Sequence, residues 1–167
     1  MQIKLRPWHP NDLINLTAYA SNPNIAKNMT DRFPYPFTAE HAQKFIEKNS
    51  APAVPNILAI DLNGEAIGGI GLHPQEDIQR MNAELGYWLG EPYWGKGIIT
   101  EAIKLIVDYG FKNFEINRIF AKPFGTNIAS QKALEKAGFI LEGRFEKTLF
   151  KNGESVDELI YAARRKP

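Results

Sequence analysis

The spacing of apolar positions changes period along this chain, and the changes mark out its elements. Ile3 to Arg6 alternates apolar and basic residues and predicts a short strand. Residues 11–20, N-D-L-I-N-L-T-A-Y-A, carry Leu13, Leu16 and Ala20 at helical spacing behind Asn11 as a cap, and Asn22 to Lys27 adds another turn. F-P-Y-P-F (33–37) is excluded from helix interior, because its prolines lack amide donors and bias their predecessors to extended backbone. Thr38 then caps a helix through about Asn49, with Ala42, Phe45 and Ile46 on one face, and S-A-P-A-V-P (50–55) is a loop.

From residue 56 the period falls to two. N-I-L-A-I-D-L (56–62), the turn Asn63-Gly64 and E-A-I-G-G-I-G-L (65–72) predict a hairpin. After a polar connection at 74–81, N-A-E-L-G-Y-W-L (82–89) predicts a strand. Ala83, Leu85, Tyr87 and Leu89 lie on one face of it, Glu84 and Trp88 on the other. A helix follows from about Trp94 to Asn113, its stripe being Ile99, Ala102, Ile103, Ile106 and Gly110. R-I-F-A-K (118–122) is a strand, Asn127 to Ala137 a helix stopped by Gly138, and 139–150 with 154–162 a closing hairpin about Asn152-Gly153. The strand–helix–strand piece at 82–122 implies a parallel crossover. The expected fold class is therefore α/β (α+β), a mixed, mostly antiparallel sheet flanked by helices in a single domain over residues 1–167.

Composition narrows the class without naming a function. The 167 residues carry 20 basic and 19 acidic side chains, a formal charge of +1, which gives no basic footprint for nucleic acid. With 44% apolar and 23% charged residues the chain is ordinary for a soluble domain. It has no cysteine, which removes disulfides, thiolate metal sites and a cysteine nucleophile and fits a cytoplasmic location. No apolar run reaches the ~18 residues of a membrane span, and M-Q-I-K-L-R-P-W lacks a signal-peptide core. His9, His41 and His73 lack metal-ligand spacing, so no metal is expected.

The candidate chemistry centres on Y-W-G-K-G-I-I-T-E-A (93–102). A strand that runs through glycines into a helix presents free helix amides at the positive end of the macrodipole, an anion-binding arrangement. A tight turn explains Gly95 and Gly97 equally well. The GxxxxGK[ST] loop is absent, and no GxGxxG follows a strand here.

The run A-E-L-G-Y-W-L-G-E-P-Y-W-G-K-G-I-I-T-E-A (83–102), followed by N-I-A-S-Q-K-A-L-E-K-A-G-F (127–139), resembles the GNAT acetyltransferase superfamily. More narrowly it resembles the branch with the bacterial ribosomal-protein N-terminal acetyltransferases. The likeness runs from L-R-P-W to the last hairpin. Two positions depart from the loop pattern Gln/Arg-x-x-Gly-x-Gly/Ala, with Trp94 at its start and Ile99 at its end. The resemblance implies a GNAT fold whose parallel strand pair splays, with acetyl-CoA as cosubstrate. Its pyrophosphate would lie on the amides of Gly95, Lys96, Gly97, Ile98, Ile99 and Thr100. Its pantetheine would lie beside Trp88 and Leu89 like an added strand, and Asn127, Ser130 and Lys132 would complete the contacts. A homodimer is a further expectation from the family.

Direct attack of an amine on a thioester needs a base, a carbonyl polariser and a donor to the leaving sulfur. Glu84, a carboxylate inside an apolar strand, is the candidate base, against an ordinary solvent-facing glutamate. Ser130, on the apolar stripe of its helix, is the candidate acid, its hydroxyl helping to protonate the leaving thiolate, against a small residue bonding back to a carbonyl one turn earlier. Asn127 is also a plain helix cap. Asp157, Tyr161, Tyr35 and Phe37 are weighed as borders of the acceptor cleft, against plain core packing for the aromatic ones, and the loops 28–38 and 74–81 as its shapers. The expected activity is N-acetylation of a primary amine, with a protein N-terminus as acceptor. The alternatives are a small-molecule amine (amino acid, polyamine or antibiotic) and a non-catalytic acyl-CoA-binding module.

Overall fold

The computed structural model describes residues 2–167. Seven strands form one sheet: β1 (Ile3–Arg6), β2 (Ile57–Leu62), β3 (Glu65–Pro74), β4 (Asn82–Leu89), β5 (Arg118–Ala121), β6 (Ile140–Lys151) and β7 (Glu154–Arg164). Their spatial order is β1-β2-β3-β4-β5-β7-β6, and β4–β5 is the parallel pair among antiparallel ones. Five α-helices accompany them: α1 (Leu13–Ala20), α2 (Pro23–Ala26), α3 (Ala39–Ser50), α4 (Ile98–Asn113) and α5 (Ile128–Lys136).

Alternation along the strands feeds two cores. Trp8, Leu16, Phe37 and Ile46 pack with Ala59, Ala66 and Trp88 on one face. Ile60, Ile67, Ile70, Leu85 and Leu89 pack with Ile103, Ile106 and Leu134 on the other. The helices α1–α3 thus cover one side of the sheet and α4 and α5 the other. Glu84 shares the first side with Trp88, and Tyr87 shares the second with Leu85 and Leu89, as the alternation requires.

Several boundaries differ from expectation. The first helix is capped by His9 through a 3-10 turn, Pro10–Asp12, rather than by Asn11; Asp12 bonds back to the His9 amide at 2.9 Å. The fourth helix starts at Ile98 rather than near Trp94. A 3-10 turn, Glu91–Tyr93, comes first, and left-handed backbone at Gly95 (φ 73°) and Gly97 (φ 77°) keeps the intervening residues out of the helix. Thr38 caps α3 as expected, with His41 completing a capping box.

Candidate active site

The parallel pair β4–β5 is joined only from Asn82 to Glu84, opposite Arg118 to Phe120. Beyond Glu84 the strands part. Gly90 donates its amide to Ile67 at 2.8 Å, and the β3–β4 register runs unbroken from Gly68↔Leu89 to Pro74↔Ala83. Alternation in an antiparallel ladder then turns the amides and carbonyls of Tyr87 and Leu89 away from β3, into the gap toward β5. Trp94 closes one of these groups: its indole Nε1 donates to the Leu89 carbonyl at 2.8 Å. The Leu89 amide and both Tyr87 backbone groups are left for a ligand that can pair as a strand would.

A cavity of about 660 Å³ occupies this gap and continues to the start of α4. Its lining includes Glu84, Trp88, Leu89, Gly95, Gly97, Ile98, Ile99, Thr100, Asn127, Ser130 and Lys132. Eleven of the twelve residues expected to bind the cosubstrate or take part in catalysis therefore meet in one place. Lys96 stands apart, its Nζ 5.7 Å from the centre of the Tyr93 ring. From the acceptor loops, Asn28, Met29 and Thr30 reach the cavity, whereas residues 75–81 do not. Tyr35, Phe37, Asp157 and Tyr161 also lie off the lining. Asp157 receives the Lys147 amide and the Arg144 guanidinium, which hold its carboxyl below the usual range. Tyr161 is buried and donates to Glu135 at 2.8 Å.

The start of α4 is built as a cradle. Gly97 occupies the N-cap position with no side-chain cap, and the first loop-to-helix bond is from the Glu101 amide to the Gly97 carbonyl, at 3.2 Å. The amides of Ile98, Ile99 and Thr100 precede that bond and have no intrahelical partner. Nothing lies within 4 Å of the position a Cβ would take at Gly95 or Gly97, so their left-handed backbone, not internal crowding, is what demands glycine. The turn before the cradle is pinned from α1 and α2. Tyr19 and Tyr93 hydroxyls lie 3.0 Å apart over the Glu65 carboxylate, and Asn22 and Asn24 donate to Glu91 at 2.6 and 3.1 Å. Those amides hold the Glu91 carboxyl below its ordinary value.

The candidate catalytic groups line the same cavity. Glu84 lines the cavity beside His73, its cross-strand neighbour, and its Oε1 is 3.7 Å from Lys122 Nζ. It is about one-third exposed, so it is neither a surface residue nor a sealed one. Asn127 caps α5 by accepting the Ser130 amide at 3.3 Å, and it lines the same cavity. The Ser130 hydroxyl does not bond back to its helix; it meets the Tyr87 hydroxyl at 2.5 Å. Burial pushes the Tyr87 phenol up to about 12. Tyr87 was legible only as an apolar-face residue, because its partner lies 43 positions away.

An acetyltransferase (GNAT) domain model matches residues 2–140. Among relatives, p20 of Bacillus licheniformis, named as an N-acetyltransferase, is 31% identical over 96% of this chain and 92% of that protein. YdaF of Bacillus subtilis, named provisionally for ribosomal N-acetylation, is 35% identical over 60% of this chain and 54% of that protein. That alignment thus spans about half the relative's length. The spermidine N(1)-acetyltransferase of Escherichia coli is 26% identical over 91% of this chain and 80% of that protein. A GNAT acetyltransferase structure from Bacillus anthracis superposes with a TM-score of 0.84 at 26% identity, over 98% of this chain and 95% of that one. The microcin C7 self-immunity acetyltransferase MccE, solved with acetyl-CoA and AMP, gives 0.80 at 28%, over 98% and 93%. The fold and the splayed, cradle-ended gap define an acyltransferase architecture of GNAT type. The chain belongs to the GNAT acetyltransferase family.

Proposed function

We propose that this protein, acting as a single domain, transfers the acetyl group of acetyl-CoA to the α-amine of a protein or peptide N-terminus. The donor side fits its ligand by three features of this chain. The free amides at the start of α4 suit a pyrophosphate. The unpaired backbone of Tyr87 and Leu89 suits the two amides of a pantetheine. Lys132 at the cavity edge suits a further phosphate. When bound, acetyl-CoA supplies an acyl carbon activated by its thioester.

The chain's own groups divide the work. Glu84, directly or through one water, accepts a proton from the acceptor ammonium and leaves the free amine. One of the free amides of the gap, that of Tyr87 beside Ser130 or that of Leu89, polarises the thioester oxygen, and the other pairs with the pantetheine. The Ser130 hydroxyl donates to the sulfur as the carbon–sulfur bond breaks.

The observation that carries the acceptor assignment is the charge of the cavity wall. Among the residues described there, Glu84 is the single carboxylate, against Lys122, Lys132 and Lys136. A polyamine brings several cations and calls for several acids, and Lys122 would repel the second one. An acceptor with one amine followed by peptide groups suits the wall better, because Asn24, Asn28 and Thr30 supply uncharged donors and acceptors. A thiol-release assay over an amine panel tests this. Peptides with a free N-terminus should release CoA fastest, amino acids slowly and spermidine least. Release with spermidine above that with every peptide would overturn the assignment, and binding of acetyl-CoA without release for any amine would mark a non-catalytic module.

A further inference from the structure

We propose that Tyr87 is a positioning residue for Ser130: its phenol donates to Ser130 Oγ and so turns the serine's own proton into the gap where the sulfur departs. The inference rests on the reading of Ser130 given above. Tyr87 stands on β4 just past the last residue paired with β5, and Ser130 stands in the first turn of α5; both line the cavity. Their hydroxyls are hydrogen-bonded across the junction of strand and helix.

The direction follows from counting protons. Each hydroxyl has one proton and can accept in return. The Tyr87 phenol lies against the α4–α5 core and has no described partner except Ser130. If Ser130 donated to it, the phenolic proton of the half-buried Tyr87 would have no protein acceptor among the described residues, which is costly. If Tyr87 donates, its proton is satisfied and the serine proton is free for a ligand. Ser130 makes no competing bond to its own helix among the described residues.

Acidity decides what such a pair does. The phenol, held at about 12, is a far weaker acid than a thiol of pKa about 8.5, so full proton transfer to the thiolate is uphill by more than about a thousandfold. The pair keeps both protons. It holds one donor in line with the sulfur as negative charge develops there, and the thiolate takes its final proton from water after release.

The test is a double-mutant cycle of Tyr87→Phe and Ser130→Ala in steady-state kinetics with a peptide acceptor. Ser130→Ala should lower kcat about 30-fold, the scale of one hydrogen bond to a charged group, and Tyr87→Phe about fivefold. The KM for acetyl-CoA should stay within about threefold for both, since neither change touches the cradle. The double variant should be no slower than Ser130→Ala within about twofold, because Tyr87 acts through Ser130. Ser130→Thr, which keeps the hydroxyl, should keep the dependence on Tyr87. Tyr87→Phe preserves the ring, and a thermal melt checks that its packing is intact. An unchanged kcat in Tyr87→Phe beside a slow Ser130→Ala overturns this inference and spares the reading of Ser130. Full activity in Ser130→Ala overturns both. A double variant slower than either single one would make Tyr87 an independent donor and refute the positioning role.

Discussion

Gly97 separates two reasons for a glycine, and substituting it tests the cradle directly. The residue sits at φ 77°, where an L side chain is strained, yet a Cβ there would meet nothing within 4 Å. The stability loss from Gly97→Ala is therefore conformational alone, about 1–2 kcal/mol. Asparagine tolerates left-handed backbone, so Gly97→Asn should recover most of that loss. Ligand binding should behave differently. If a pyrophosphate lies on the free amides of Ile98, Ile99 and Thr100, a side chain at the adjoining N-cap should crowd it, and losing one charge-assisted bond to a phosphate costs about 1.5–3 kcal/mol, or about 10- to 100-fold in Kd. Urea unfolding and calorimetric titration with acetyl-CoA, on both variants, read the two effects separately. The expected result is a stable Asn variant that binds at least as weakly as the Ala variant. If Gly97→Asn restores both stability and affinity, the glycine serves only the turn, and the placing of the pyrophosphate on these amides is refuted.

Three further outcomes follow from the geometry. Glu84→Gln should lower kcat/KM about 100-fold at neutral pH and leave a residual rate that climbs with pH as the amine deprotonates by itself; full activity across the pH range would remove Glu84 as base. Lys122→Glu, which replaces the cation 3.7 Å from Glu84 by a second carboxylate, should raise the ratio of spermidine to peptide turnover about tenfold; an unchanged ratio would show that wall charge does not select the acceptor. Asp61 is buried on β2. Burial pushes its carboxyl up, but Arg6 at 2.6 Å and the Gly64 amide outweigh that and leave it lowered. A lowered carboxyl contributes stability above its unfolded value of about 3.9 and loses it as pH falls through the folded value. Asp61→Asn should therefore destabilise by about 2–3 kcal/mol at neutral pH, with Arg6 still held by Asp12, and the gap from the parent should narrow in acid melts.

The elements were legible wherever a local pattern decides them. Asn63-Gly64 adopts left-handed backbone at both residues and makes the expected hairpin, Thr38 caps its helix, and Gly138 ends α5 at φ 94°. The alternation of β4 placed Glu84 with Trp88 and Tyr87 with Leu85 on the faces they occupy. What escaped the sequence is the path of the glycine loop and the contacts between distant segments. Trp94 looks like helix, but its indole is drawn back to the Leu89 carbonyl. Lys96 looks like an anion ligand, and the contact its side chain makes, with Nζ 5.7 Å from the centre of the Tyr93 ring, could not be read from the loop pattern. Ser130 reads in sequence either as an inward-facing catalytic hydroxyl or as a residue bonding to its own helix, and only the packing of α5 against β4 brings it to Tyr87. The Glu84–Lys122 approach depends on the parallel register, which no single segment encodes.

The assignment of the acceptor is tested most directly by mass spectrometry of one product. A peptide carrying a free α-amine and an internal lysine is incubated with the protein and acetyl-CoA, beside the same peptide with its N-terminus blocked. Acetylation of the α-amine alone, and none of the blocked peptide, is the predicted result. Modification of the lysine in both peptides, or of spermidine in preference to either, would contradict it.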